Sequence, residues 1–427
     1  MKISLLTIGA MGDTQPFVAL AVRLKSQGHR VRLAARPDFA PLAASYGIEF
    51  APLGNPYKSV MRDEEVAAAL GSGSLRKIIK RGADPKQRAV FFEGLDADTM
   101  RAVDGAEAII YKSSWIPFYA YAEKLGVPRV AAMLMPLTRT RSFPSFLLGG
   151  GRDRGAIINS LLWRSTEQFV WQVARAYDTT LRREMLSLPP LPFWGPNKRY
   201  NKERAPLLYA YSPAVLPPPA DWPERIHVTG YWFADPPDGW APPTELSSFL
   251  ESGAPPVYVG FGSMTGGDPE GTLRLILEAL KLSRQRGVIL SGWAGLAEDR
   301  RLPEYACAVD SVPHSWLFPR VAAVIHHGGA GTTGAGLRAG VPSILIPFVA
   351  DQPSWARRVA ELGAGPRPIP FRELTAERLA DAIRQAMTDA ALRERAARIG
   401  ELIRAEDGVG AAMEIFLSHA SRGSAGW

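Results

Sequence analysis

The sequence is short of cysteine and of long apolar runs, and each shortage excludes a class of protein. Its 427 residues include one cysteine, Cys307, so no internal disulfide can form and a cysteine-based zinc site is excluded. This usage is typical of a reducing compartment. No segment approaches the roughly 20 consecutive apolar residues of a membrane-spanning helix. We therefore expect a soluble, cytoplasmic protein.

The first apolar segment, KISLLTIG at residues 2–9, begins like a signal peptide but is too short to be one. It runs into a glycine turn and has no small-residue cleavage pattern after a longer apolar stretch. We interpret it as a buried β-strand.

Basic residues exceed acidic ones, and the formal net charge is +8. They are scattered, without the aromatic and basic signature of an RNA- or DNA-binding module, so nucleic acid is not an expected partner. One cluster, SLRKIIKRGADPKQR at residues 74–88, surrounds apolar side chains with lysine and arginine. It is interpreted as a solvated helix face, with an anionic membrane surface as the alternative.

Apolar strand-like segments alternate with helical patterns in two series, separated by a proline-dense stretch at 212–256. Such alternation predicts parallel sheets with helices on both faces, and therefore an α/β protein of two doubly wound domains. We predict a first domain over 1–215 and a linker with the second domain over 216–405. A long final helix is predicted over about 374–420, and the segment 406–427 is predicted to return to the first domain.

Three strand-to-helix loops have the composition of ligand-binding loops, which in open α/β sheets follow the strands. The first, GAMGDTQP at 9–16, places Asp13 and Thr14 ahead of a helix predicted to open at Pro16. The second, GFGSMTGGDPE at 260–270, offers the Ser263 hydroxyl. The third, HHGGAGTT at 326–333, follows a predicted strand.

The third loop has the donors needed to bind a diphosphate without a metal ion. The His327 imidazole and the threonine hydroxyls can donate hydrogen bonds, and the glycines let backbone amides approach closely. His326 alternates to the other face of the strand and is interpreted as structural. The loop also spells G-A-G-T-T-G at 329–334, with Asp351 about where a dinucleotide fingerprint has its acid, so an oxidoreductase stays an alternative. A D-x-D pair at Asp96 and Asp98 is interpreted as a solvated face.

Five segments together resemble the family 1, UDP-sugar-dependent glycosyltransferases. The resemblance is greatest to the sterol 3-beta-glucosyltransferases and the bacterial antibiotic and macrolide glycosyltransferases, and it implies a GT-B fold of two Rossmann-like domains facing a cleft. The segments occur in the family order: GAMGDTQPFVALAVRL, LPPLPFWGP, PADWPERIHVTGYWF, PVYVGFGSM and HHGGAGTTGAGLRAGVPSILIPFVADQP.

The resemblance implies a role for each matching position of the donor site. His327 aligns with the histidine on the donor diphosphate, Asp351 and Gln352 with the pair that holds sugar hydroxyls, and the backbone of Val312 with the group that pairs with the base. Trp293 is a possible substitute for the tryptophan that stacks on uracil in plant enzymes, since Ser311 stands near that place. The candidate donor-binding residues are Ser263, Trp293, Val312, His327, Gly329, Gly331, Thr332, Asp351 and Gln352.

The resemblance also implies a catalytic base. An acceptor hydroxyl attacks poorly unless a base removes its proton, and Asp13 matches the catalytic aspartate of the sterol and antibiotic subgroup. Its alternative role is an N-cap. Direct displacement at the anomeric carbon implies inversion of its configuration. We also expect no cofactor and no metal ion.

The segment 115–200 is rich in aromatic and apolar residues, and it favours a flat lipophilic acceptor such as a sterol, triterpenoid, polyketide or flavonoid. The candidate acceptor contacts are Gly12, Trp115, Met135 and Phe143. Alternatives are a TDP-deoxysugar donor, an oxidoreductase, a nucleotide-sugar epimerase and a non-catalytic sugar-nucleotide-binding protein. We expect a monomer or a weak dimer.

Overall fold

The computed structural model describes residues 1–57, 59, 93–112, 117–147, 153–262, 268–291 and 302–423. The basic cluster at 74–88 and the predicted site residues Trp115, Ser263 and Trp293 lie outside the described residues. The described residues form two units. The first contains those up to Ala234 and those from Asp407 onward, and the second contains Asp235–Glu406.

The first unit is built on a seven-stranded parallel sheet in the order β3-β2-β1-β4-β5-β6-β7. Its strands are β1 (Lys2–Leu6), β2 (Arg30–Ala35), β3 (Glu49–Pro52), β4 (Ala108–Lys112), β5 (Arg129–Met133), β6 (Leu207–Tyr209) and β7 (Ile226–Val228). Strand β1 lies between β2 and β4 and is apolar and buried, as the prediction of a buried strand at the N-terminus required.

The helices of the first unit cover this sheet, and α1 begins earlier than predicted. The described helices before Ala234 are α1 (Met11–Ser26), α2 (Ala40–Ser45), α3 (Leu95–Ala102), α4 (Phe118–Leu125), α5 (Ala156–Thr180) and α6 (Asn197–Glu203). The prediction that α1 opens at Pro16 is wrong, because Pro16 lies inside the helix. It lacks the N–H that would bond the carbonyl of Gly12, which costs one helical hydrogen bond without ending the helix.

The second unit repeats the plan with five parallel strands in the order β10-β9-β8-β11-β12. Its strands are β8 (Val257–Gly260), β9 (Gly287–Leu290), β10 (Ala306–Val309), β11 (Ala323–His326) and β12 (Ser343–Leu345). Its helices are α7 (Thr244–Glu251), α8 (Pro269–Ser283), α9 (His314–Leu317), α10 (Ala330–Ala339), α11 (Gln352–Glu361), α12 (Ala376–Thr388) and α13 (Ala390–Arg404). A core of buried aliphatic side chains joins its strands to α8 and α12.

The predicted single helix over 374–420 is wrong, because three helices occupy this stretch. The Asp389 carboxylate accepts the N–H of Leu392 at 3.0 Å and starts α13, while Asp407 accepts the N–H of Gly410 at 2.8 Å and starts α14 (Gly408–Gly423). Helix α14 packs against α1 in the first unit. Among the residues described, no helix has both the length and the apolar character needed to cross a membrane.

Candidate active site

In the first unit, the sheet order reverses between β1 and β4. A switch point of this kind is where ligands bind in open α/β sheets. Asp13 lies in the first turn of the helix that follows β1, and Lys112 is the last residue of β4.

The Asp13 carboxylate is held at this switch point by two contacts. Its Oδ2 accepts the N–H of Ala10 at 3.0 Å, and its Oδ1 lies 2.5 Å from Nζ of Lys112. The N-cap position belongs to Ala10 rather than to Asp13, but the carboxylate still pairs with the Ala10 N–H from within the first turn. The carboxylate is partly exposed, so lone pairs remain for a substrate hydroxyl.

Gly9 is needed for the carboxylate to lie where it does. Its φ is +145°, and a Cβ atom there would stand 2.0 Å from Oδ2 of Asp13. Any other residue at this position would therefore strain the backbone and displace the carboxylate.

In the second unit, three neighbouring strands end at the same level of the sheet, and a loop follows each of them. Gly260 of β8 is opposite His326 of β11, which in turn is opposite Leu345 of β12, and the sheet order reverses between β8 and β11. Gly328, with φ +88°, brings two of these loops into contact, since a Cβ atom there would lie 3.2 Å from the Gln352 carbonyl oxygen. His327, Gly329 and Gln352 are thus brought together by the fold.

The His327 ring lies over the glycines around it. A Cβ atom at Gly329 would stand 2.6 Å from Nε2 of His327, and one at Gly262 would stand 3.5 Å from its Cε1. Burial lowers the pKa of His327 to about 4, and the Gly260 carbonyl acts in the opposite direction. The ring is therefore neutral at pH 7 and offers one N–H donor rather than a positive charge.

His326 has a structural role. It is buried at the end of β11, and its Nδ1 accepts the N–H of Gly328 at 3.1 Å. Burial lowers its pKa well below the usual value, with His327 and His314 adding to the shift. A neutral His326 thus fixes the start of the glycine turn.

Helix α10 begins with free backbone donors directly after this turn. Gly329 is its N-cap and supplies no side-chain acceptor. The first helical hydrogen bond is that of the Thr333 N–H to the Gly329 carbonyl at 2.9 Å, so the N–H groups of Ala330, Gly331 and Thr332 have no acceptor within the helix. These donors and the positive end of the helix dipole can bind an anion such as a diphosphate.

In the loop after β12, some polar side-chain atoms of Asp351 and Gln352 bond to the protein and others stay available for a ligand. Oε1 of Gln352 accepts the N–H of Phe348 at 2.8 Å and of Val349 at 3.1 Å, which leaves its Nε2 as a donor. Oδ2 of Asp351 accepts the indole N–H of Trp355 at 2.9 Å. Both residues follow Ala350, whose φ of +58° is strained for a residue with a Cβ atom.

The other predicted site residues are placed by the fold as follows. Val312 is buried in the core cluster beneath α9, and its backbone precedes Pro313, the N-cap of that helix. Gly12 is exposed in the first turn of α1, and Met135 is partly buried in the loop after β5. Phe143 contacts three aromatic rings, those of Phe146, Trp163 and Trp222, at centroid distances of 5.8, 6.3 and 6.3 Å.

The D-x-D pair engages protein groups. Asp96 accepts hydrogen bonds from the hydroxyls of Tyr121, at 2.7 Å, and Tyr177, while Asp98 accepts the N–H of Gly54 at 2.8 Å and pairs with Arg101. The interpretation as a merely solvated face misses the role of Asp96 in tying α3 to α4 and α5. Lys112 was not predicted from the sequence. A lysine that ends an apolar segment such as AEAIIYK is an uncommon pattern, and it is the signal that could have pointed to this residue.

Two protein-family models and several known proteins match this chain. The model described as "Glycosyltransferase family 28 N-terminal domain" matches residues 3–144, and "Erythromycin biosynthesis protein CIII-like, C-terminal domain" matches residues 288–407. A sterol 3-beta-glucosyltransferase of Arabidopsis thaliana is 37% identical over 433 residues, which cover 98% of this chain and 66% of the plant protein. This chain therefore spans about two thirds of that relative's length.

One further relative and one solved structure match nearly the whole chain and are themselves covered almost completely. The O-mycaminosyltylonolide 6-deoxyallosyltransferase of Streptomyces fradiae is 37% identical over 415 residues, which cover 96% of this chain and 95% of the relative. The crystal structure of a calicheamicin glycosyltransferase has a TM-score of 0.66 at 20% identity, covering 99% of this chain and 98% of the other.

The two parallel-sheet units, each with a switch point in its sheet, have the GT-B fold of the calicheamicin enzyme. The chain belongs to the glycosyltransferase family that includes sterol 3-beta-glucosyltransferases and macrolide glycosyltransferases. Membership of this family contradicts the alternative that the chain is an oxidoreductase. The fingerprint-like G-A-G-T-T-G follows β11, the fourth strand of its unit, whereas a dinucleotide fingerprint follows the first strand.

Proposed function

We propose that the protein transfers glucose from UDP-glucose to a hydroxyl of a lipophilic acceptor, such as a sterol, triterpenoid, polyketide or flavonoid. The reaction inverts the anomeric carbon and uses no metal ion. The names of the two relatives, a sterol glucosyltransferase and a macrolide deoxyallosyltransferase, support this acceptor class. We further propose a cytoplasmic enzyme that contacts membranes peripherally.

The free N-terminus of α10 beside the neutral His327 is the observation that carries the proposal. The leaving diphosphate gains charge as the glycosidic bond breaks, and pre-aimed N–H donors stabilise charge that develops in a transition state. Ala330, Gly331 and Thr332 supply backbone donors, and the His327 ring supplies one more. Such donors perform the charge stabilisation for which other transferases use a metal ion.

Asp351 and Gln352 would orient the sugar. With its Oε1 bonded to backbone N–H groups, Gln352 has only its Nε2 to offer, and so it donates to a sugar hydroxyl oxygen. The Asp351 carboxylate accepts from a neighbouring hydroxyl. This division of roles suits a sugar with two adjacent hydroxyl groups.

Asp13 would act as the general base. A carboxylate takes the proton of the acceptor hydroxyl as its oxygen attacks the anomeric carbon from the face opposite the diphosphate, which gives a beta-glycoside from an alpha-linked donor. Trp115, Met135, Phe143 and Gly12 remain the proposed acceptor contacts, and Ser263, Val312 and Trp293 the proposed further donor contacts.

The name of the Streptomyces relative, a 6-deoxyallosyltransferase, favours a deoxysugar donor, and our second candidate is therefore a TDP-deoxysugar. The phosphate donors of α10 and His327 would serve either nucleotide, because they recognise the diphosphate rather than the base. A sugar lacking one of the two hydroxyls would use only one residue of the Asp351 and Gln352 pair.

The experiment measures nucleotide release from UDP-glucose and from TDP-sugars, with and without a sterol or an aromatic polyketide. Wild type should release UDP only with acceptor. Asp13→Asn should slow release by about 10²- to 10⁴-fold, the usual contribution of a general base, while donor binding by calorimetry stays intact. The matched control is Asp104→Asn, an exposed carboxylate of the same unit, which should keep the wild-type rate.

Each other result has a defined meaning. Asp13→Asn at the wild-type rate would remove Asp13 as the base. Release from TDP-sugars alone would establish the second candidate, and no release from any nucleotide sugar would contradict both.

A further inference from the structure

The first half of helix α5 presents apolar side chains to solvent. Ile157 is 79% exposed and Leu161 is 54% exposed, and Ile158 beside them is also exposed. Positions four residues apart lie on one face of a helix, so Ile157 and Leu161 form a continuous stripe. Asn159 and Trp163 lie on the opposite, buried face, which anchors the helix to the unit.

An aromatic pair lies beside the second half of the same helix. The side chains of Trp171 and Gln172 donate to the carbonyl of Phe193, at 2.8 and 2.9 Å, which fixes the 193–194 turn against α5. The neighbouring Trp194 is 76% exposed. Arg175 lies over the Phe193 ring, with its guanidinium carbon 5.0 Å from the ring centroid.

Two exposed arginines stand near these apolar groups, in a segment with an excess of basic residues. Residues 153–204 contain nine arginines and lysines against five acidic residues, in a chain with a net charge of +8. Arg154, two residues before the start of α5, and Arg164, within its first half, are both exposed. Exposed tryptophan and aliphatic groups flanked by arginine are typical of surfaces that lie in a lipid interface.

We propose that this surface, the α5 face (Arg154, Ile157, Ile158, Leu161, Arg164, Phe193 and Trp194), docks onto an anionic lipid bilayer. The apolar side chains enter the boundary between headgroups and acyl chains, and the arginines pair with acidic headgroups. Docking deepens the proposed function, on which it rests for its purpose: it would bring the enzyme to acceptors dissolved in the membrane. The lipid contact itself does not depend on the chemistry.

Vesicle sedimentation tests the docking. Wild type is mixed with phosphatidylcholine vesicles, with and without phosphatidylglycerol, at about 0.1 M and about 1 M NaCl, where the screening length falls from ~10 to ~3 Å. We expect binding to the anionic vesicles that weakens at high salt. Ile157→Ser with Leu161→Ser should lower the partition coefficient at least about tenfold through lost apolar burial. Arg154→Gln with Arg164→Gln should lower it by a similar factor.

The matched control is Leu402→Ser, an exposed leucine (51%) on α13 in the second unit, which should bind like wild type. Three results would overturn the proposal: wild type that does not sediment with anionic vesicles, double variants that sediment like wild type, or a lipid-free dimer in ultracentrifugation that the Ile157 and Leu161 double variant abolishes. The last result would assign the α5 face to a second copy of the chain.

A measurement of nucleotide release with a detergent-dispersed acceptor distinguishes a failure of the docking proposal from a failure of the proposed function. The double serine variant should release UDP at the wild-type rate in detergent. Lost vesicle binding with normal release would leave the transferase assignment intact, while normal vesicle binding without any release would refute the transferase assignment alone.

Discussion

Lys112 Nζ lies 2.5 Å from Asp13 Oδ1, and this ion pair joins the ends of β4 and β1 across the switch point of the first sheet. The lysine holds one carboxylate oxygen while the Ala10 N–H holds the other. The pair thus determines where the proposed base stands.

Lys112→Met should lower kcat/KM by about 10²-fold, because a catalytic group displaced by about 1 Å loses activity on that scale. Lys112→Arg should recover part of the rate, since it keeps the charge. Steady-state kinetics with the donor and the acceptor varied separately would check this, and the KM for the donor should not change. A fully active Lys112→Met enzyme would show that the Ala10 N–H alone positions Asp13.

Gly9→Ala should inactivate the enzyme without unfolding it. The added Cβ atom collides with the Asp13 carboxylate and occupies a backbone conformation with φ +145°, which costs about 1–3 kcal/mol. The control is Gly126→Ala, where φ is +64° and no atom lies within 4 Å of the new Cβ atom. Both variants should lose similar thermal stability. Comparable activity in both would contradict the role given to Gly9.

Trp355→Phe should raise the KM for the donor about tenfold, because the Asp351 carboxylate loses the indole N–H at 2.9 Å, and bonds to charged groups contribute about 1.5–3 kcal/mol. The control is Trp232→Phe, which removes an indole bond to Thr229 in the first unit and should leave the donor KM unchanged. Donor titrations of both variants provide the comparison. Equal donor KM values would mean that Asp351 keeps its place without Trp355.

Two substitutions at Gln352 should separate its two functions. Gln352→Glu keeps an oxygen for the Phe348 and Val349 N–H groups but removes the amide donor, so donor binding should weaken with little change in melting temperature. Gln352→Leu also leaves those N–H groups unpaired, at about 1–3 kcal/mol each, and should lower the melting temperature. Donor calorimetry and thermal unfolding measure the two effects. Identical melting temperatures would contradict the bonds to the loop.

The second unit should lose stability on acidification. Burial lowers the pKa of His314 and of His327 to about 4, and it lowers the pKa of His326 well below its usual value. Between pH 6.5 and 4 the unfolded chain therefore binds protons that the native state does not, and stability falls as the pH falls. Each such histidine contributes about 1.4 kcal/mol per pH unit over this window.

Thermal unfolding at several pH values tests this, with His314→Phe as the variant. His314 stacks on Phe318 at 4.3 Å and faces the Tyr258 hydroxyl, so a phenyl ring fits its surroundings while removing the proton site. The variant should unfold with a shallower pH dependence than wild type. An unchanged dependence would mean that His314 does not resist protonation in the native state.

The strands were predictable because parallel strands that are buried on both faces have continuous apolar sequences, as in KISLLTIG and VAAVIHH. The loops were predictable because glycine and hydroxyl residues follow those runs directly. The start of α1 was not, because a proline usually marks the first turn of a helix, whereas Pro16 lies inside one. The breaks at Asp389 and Asp407 were also missed, since the apolar spacing of a helix continues across them.

Contacts between distant residues could not be predicted from local pattern. Lys112 meets Asp13 because β4 lies beside β1 in the sheet, and Asp96 meets Tyr121 and Tyr177 because α3, α4 and α5 cover the same face. The choice of Oε1 of Gln352 for the loop also depends on the fold. Such details decide which atoms stay available for a substrate.

The return of α14 to the first unit affects how such enzymes can be recombined. Ala234 and Asp407 both belong to the first unit, so the second unit is an insertion with two junctions rather than the C-terminal half of the chain. A chimera made by fusing a foreign C-terminal half would also replace α14 and the buried Phe416, leaving α1 with a mismatched cover. The second unit is better exchanged as an internal segment, cut at both junctions.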